Sequence, residues 1–90
     1  MRLSLDGHCI ETAARRERAR IEARLLELDG PDSALRALGD DLALLTEFLR
    51  DTDFATLRTV RPDLDGRAAL TVELRRDDAG RITCYTHSSR

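Results

Sequence analysis

The residues able to do chemistry sit at the two ends of the chain and along one stretch near its start. His8-Cys9 and Cys84-x-x-His87 supply two thiols and two imidazoles, a ligand set that suits tetrahedral zinc. Neither pair has the usual Cys-x2-Cys spacing. In an extended strand Cys84 and His87 point to opposite faces. A buried thiol and two surface histidines explain the same residues, so neither a metal nor a cofactor is expected. A small thiol or zinc protein using Cys9 and Cys84 is the third reading of the chain.

Arg15, Arg16, Arg18, Arg20 and Arg24 follow one another closely, interrupted by Glu17 and Glu22. At about 100° per residue Arg16, Arg20 and Arg24 share a helix face. A basic face of this kind can contact phosphates and gain affinity by counterion release. That makes a nucleic-acid-associated regulator the second reading. Against it stand a net charge of −2 and an aromatic content of 3%, because single-strand binders stack bases on rings. A solvated face laced with ion pairs, Glu11 to Arg15 among them, accounts for the same arginines. All 15 positive charges are Arg. A GC-rich coding sequence favours that residue, which makes its abundance weak evidence for phosphate binding.

Asp63-x-Asp65-Gly66 resembles part of an EF-hand loop, but the closing bidentate Glu would fall on Leu74. No glycine-rich phosphate loop, nucleophile elbow or metalloprotease helix is present, and catalysis is not expected.

The strongest pattern is apolar. Leu35, Leu38, Leu42, Leu45 and Leu49 repeat at alternating spacings of three and four, with Leu44 and Phe48 widening the stripe. This face exceeds what one neighbouring helix needs. Leu35, Leu38, Leu42, Leu45, Phe48 and Leu49 are therefore the candidate partner interface. Helical hairpins of this kind pair by two-fold symmetry into four-helix arrangements.

The elements that must position these residues follow from periodicity and punctuation. Residues 10–29 read as a helix rich in strong helix formers, and Gly30-Pro31 stops it. Its first half has the weaker apolar face and is expected to be the more exposed. Residues 32–50 read as a second helix capped by Asp32 or Ser33, with Gly39 marking close helix approach. The short Gly-Pro link makes the two an antiparallel hairpin.

Strands are expected at about 57–61, 68–76 and 81–87, with 1–6 as a further edge strand. A loop of Asp78, Ala79 and Gly80 pairs Asp77 with Arg81 and sets Leu74 against Cys84. A longer loop matches Leu74 to Ile82 instead. Both registers keep Cys84 on the apolar face. The fold expected is α+β: a helical hairpin on one face of a small antiparallel β-sheet, in one domain spanning 1–90.

The chain has 90 residues, 41% of them hydrophobic, enough for one thin aliphatic core. No stretch reaches the roughly 18–20 apolar residues of a membrane span. Met1–Gly7 lacks the apolar core of a signal peptide. The expected setting is the cytoplasm, where both cysteines stay reduced. The first reading is thus a non-catalytic cytoplasmic interaction or regulatory domain, acting as a homodimer or with a protein partner through its leucine-rich helix.

Overall fold

A computed structural model describes residues 1–66 and 70–88 of the chain. The elements run β1 (Arg2–Ser4), α1 (Ile10–Glu27), α2 (Asp32–Asp51), α3 (Phe54–Val60), a 3-10 turn (Pro62–Asp65), β2 (Leu70–Arg76) and β3 (Ile82–Ser88). The strands form one antiparallel sheet in the order β1-β2-β3. The α1–α2 hairpin packs against it, as the alternation and leucine spacing anticipate.

Asp77 sets the register of the β2–β3 hairpin. Its Oδ1 accepts the amides of Ala79 at 2.9 Å and Arg81 at 2.8 Å. Gly80 takes the left-handed conformation (φ +81°) that this turn requires. Leu74 therefore faces Cys84 and Val72 faces Thr86, the register of the shorter loop. Of residues 1–6, all but Asp6 bond to the sheet: Leu3 pairs with Val72, the Met1 amino group donates to the Leu74 carbonyl at 3.0 Å, and Asp6 turns away with φ +47°. The expected start of the second strand, Ala68 and Ala69, lies outside the described residues.

Alternation sends Leu3, Leu5, Val72, Leu74 and Cys84 to one sheet face, where all are buried. Ile10, Ala13, Ala14 and Ile21 of α1 and Leu45 and Phe48 of α2 close over them. The first half of α1 is thus its buried half, contrary to the weak apolar face read from sequence. The alanines explain the reversal: a methyl side chain contributes little hydrophobicity but lets a helix approach the sheet closely, as dense packing demands. Beyond Ile21 no residue of α1 is buried.

Residues 57–61, expected as a strand, are helical as far as Val60. Asp53 caps α3, its Oδ1 accepting the Thr56 amide at 3.2 Å. Phe54 and Leu57 then share one face and pack on the core. Phe54 also meets Phe48 edge-on, with ring centroids 5.5 Å apart. Just beyond the helix, Arg61 Nη1 donates to the Cys84 carbonyl at 3.1 Å. Nor is α2 capped by Asp32 or Ser33: its N-cap is Pro31, with no side-chain bond.

Two glycines differ in what holds them. At Gly66 φ is +91°, and a Cβ would collide with the backbone carbonyl of His8 and stand 2.9 Å from the Cys9 amide nitrogen. Gly39, expected at a close helix approach, is exposed, with nothing within 4 Å of a Cβ. In urea titrations Gly66→Ala is expected to lose about 2 kcal/mol or more, from strain and clash together. Gly39→Ala is expected to gain about 0.5–1 kcal/mol through helix propensity. A neutral Gly66→Ala would show that the loop does not press on the start of α1.

Candidate functional site

Two surfaces stand out, and α1 contributes to both. The first is the far end of the hairpin. Fully buried residues of α2 are confined to its second half, Leu45 and Phe48. The half of α2 nearest the Gly30-Pro31 link carries no buried residue, and neither does α1 beyond Ile21. Leu25, Leu28, Leu35, Leu38 and Leu42 are only half-buried there, and Leu26 is 90% exposed.

The sequence-predicted interface therefore divides. Leu45 and Phe48 belong to the chain's own core and are not partner surface. Leu38, Leu42 and Leu49 pack against that core from one side and meet solvent on the other. Leu35 is half-buried without belonging to the cluster. Periodicity alone cannot make this division, because it does not say where the sheet beneath the helices ends.

The second surface is a cleft of about 770 Å³ beside α1. Arg2, Ser4 and Thr71 line it from the sheet, and Ala13, Arg16 and Arg20 line it from α1. The alternation that buries Leu3 and Leu5 turns Arg2 and Ser4 the other way, toward this space. Arg16 and Arg20 thus share a site as their common helix face predicts, while Arg24 is not part of the lining. Arg2 is the residue that sequence reasoning missed. Its signal was the alternation of residues 1–5, but its place beside α1 depends on β1 pairing with a strand some 70 residues away.

The charges of the cleft are unevenly matched. Arg20 is held by Glu17, through Nε at 3.1 Å and Nη2 at 2.5 Å. Arg2 lies 3.7 Å from Glu73, whose carboxylate also takes Arg75. Those contacts hold Glu73 below the ordinary carboxylate range, the Arg75 hydrogen bond most strongly. Arg16 makes no hydrogen bond or ion pair among the described residues. Elsewhere on α1, Arg15 donates to Glu11 at 3.0 Å and Arg18 lies 3.7 Å from Glu22, which are the ion pairs of a solvated face.

The cysteines and histidines do not converge. Cys84 faces the core, while His87 is exposed and pairs with Thr71 on the opposite side of the sheet. Cys9 and His8 stand at the start of α1. Among the described residues no group of three or more His, Cys, Asp or Glu is placed to hold a metal ion.

The two thiols have different surroundings. Cys9 is half-buried, and the Thr12 hydroxyl, 3.3 Å from its sulfur, pulls its pKa down. Burial pushes the Cys84 thiol up. A disulfide-exchange reagent at neutral pH should therefore label one thiol per native chain. That thiol is Cys9, and Cys84 should react only on unfolding. Thr12→Val should slow the Cys9 reaction, since the thiolate loses its donor. Two fast thiols in the native protein would contradict the burial of Cys84.

Among proteins of known sequence, an uncharacterized protein of Archaeoglobus fulgidus is 35% identical over 74 residues, which cover 82% of this chain and 84% of that relative. No solved structure matches the chain. A protein-family model matches residues 1–86, so the span from β1 through Thr86 of β3 is shared, and the chain belongs to that family.

Proposed function

We propose that this chain is a small non-catalytic association domain of the cytoplasm, which pairs with a second copy of itself through the far end of its helical hairpin. The observation that carries this is the unsealed leucine stripe: Leu35, Leu38 and Leu42 half-buried on α2, with no fully buried residue in the first half of that helix. Full burial of a leucine contributes about 2 kcal/mol relative to exposure. Half-buried leucines repeating along two turns hold back part of that gain. A second hairpin supplies the missing layer, because its own stripe has the same spacing and the same unsealed half. A two-fold axis needs only one self-complementary patch.

The nucleic-acid reading has less support. Arg15, Arg18 and Arg20 are engaged by Glu11, Glu22 and Glu17, and the chain is net acidic. Arg24 is also separated from the cleft that holds Arg16 and Arg20.

Light scattering tests the proposal. The expected mass is twice 10.1 kDa at both low and high salt, since apolar association is not screened. Leu35→Glu should give a folded monomer, because Leu35 lies outside the core cluster. A native mass of one chain at both salts, or a dimer unchanged by Leu35→Glu and Leu38→Glu, would overturn it.

A further inference from the structure

The cleft beside α1 is unrelated to the hairpin end and carries a separate inference. Three arginines, Arg2, Arg16 and Arg20, line it with two acidic residues, Asp6 and Glu17, among the described residues. It is therefore a cationic site in a chain whose net charge is −2. Arg16 is the telling residue. Of the five arginines near the start of α1, Arg15, Arg18 and Arg20 have acidic partners on the helix. Arg16 faces the cleft with none among the described residues. Arg20 gives two donors to Glu17, which fixes its guanidinium and leaves its other donors available. Planar guanidiniums of this kind recognise phosphate oxygens in pairs.

The rest of the lining says what the phosphate is attached to. Among the described residues its apolar side chains are Ala13 and Ala19, and its one ring is the imidazole of His8. A nucleobase would find no Phe, Tyr or Trp among them to stack on. Hydroxyls and carboxylates are plentiful instead. Thr71 lines the wall, and Ser4 donates to Asp6 at 2.8 Å, leaving further acceptor positions on that carboxylate. Glu17 adds a second. These groups suit a ligand rich in hydroxyl hydrogens. A volume of about 770 Å³ lies within the range of small-molecule sites. We infer that this cleft binds a small phosphorylated polyol, its phosphate held by Arg2, Arg16 and Arg20 and its hydroxyls by Asp6, Glu17 and Thr71.

The test is an amide-shift titration by NMR with glucose 6-phosphate, inorganic phosphate and glucose as probes, each to about 10 mM, with Arg16→Ala and Arg58→Ala beside the unaltered chain. Glucose 6-phosphate should shift amides in residues 2–6, 13–20 and 71, and bind more tightly than either other probe. Arg16→Ala should weaken it about tenfold or more, as the loss of charged hydrogen bonds implies. It should do so without moving the unfolding midpoint, because Arg16 has no intramolecular partner to lose. Arg58→Ala, at an exposed position of α3, should change nothing. Raising salt from roughly 50 to 300 mM should weaken binding. Four results would overturn the inference. One is the absence of shifts with the ester. Another is equal binding of ester and inorganic phosphate. A third is an equal effect of Arg16→Ala and Arg58→Ala. The last is tighter binding of an oligonucleotide that depends on Arg24 as strongly as on Arg16.

Discussion

The pairing of the chain's first residues with β2 is the contact on which the rest depends. The Met1 amino group and carbonyl both engage Leu74, at 3.0 and 2.8 Å, and the Leu5 amide donates to the Leu70 carbonyl at 3.1 Å. These bonds extend a strand of three residues at both ends and make β2 the central strand. They also fix which side chains point where. Leu3 and Leu5 enter the core; Arg2 and Ser4 face the cleft. A slip of one residue exchanges the two sets. The core would lose two fully buried leucines and the cleft its only cation from the sheet. Core and cleft are thus two consequences of one register.

The second constraint is size. A helix of 18 or 20 residues is about 27–30 Å long, whereas a strand of seven residues spans about 23 Å, and the sheet has two strands of that length beside the three residues of β1. The sheet therefore covers α1 as far as Ile21 and the second half of α2, which lie together in an antiparallel hairpin. Ile21 and Leu45 mark the limit: both are fully buried, and neither helix has a buried residue nearer the link. Beyond that limit two helices have only each other. A pair of helices cannot bury two wide apolar stripes without a third layer, and the leucines there stay half in water. The hairpin outgrows its sheet, and this leaves its end with half-buried and exposed leucines.

Legibility in the sequence followed the range of the interactions. The β2–β3 register was readable because Asp77 and Gly80 act within four residues of each other. The α2 stripe was readable because five leucines repeat on one helix. The helix at 54–60 was not, because Asp53 as a cap competes with the strand preference of Thr59 and Val60, and core contacts of Phe54 and Leu57 decide the matter. The buried half of α1 was misread for a related reason: Ala13 and Ala14 matter for their small size, which a hydrophobicity pattern barely registers. At the site, Arg16 and Arg20 could be placed together from helix geometry alone. Arg2 could not, because nothing local to residues 1–5 names their partner strand.

These constraints divide α1 at Ile21. On the N-terminal side the helix lies on the sheet, and its flank, with Arg16 and Arg20, closes one wall of the cleft. On the C-terminal side it leaves the sheet and carries Leu25, Leu26 and Leu28 toward the link. Leu26 lies six residues beyond Arg20, about 9 Å along the axis, roughly one Debye length at physiological salt. A charge bound among the arginines is therefore largely screened from the apolar end, and the two surfaces can act without opposing each other. Pairing through the far end covers neither β1 nor the first turns of α1, so a dimer built that way leaves both clefts facing solvent. The two surfaces also differ in kind: the proposed pairing would gain by removing leucine from water and be indifferent to salt, whereas the proposed ligand site would gain by matching charge and weaken as salt rises. A single 18-residue helix carries both surfaces because the sheet beneath it is too short to reach its end.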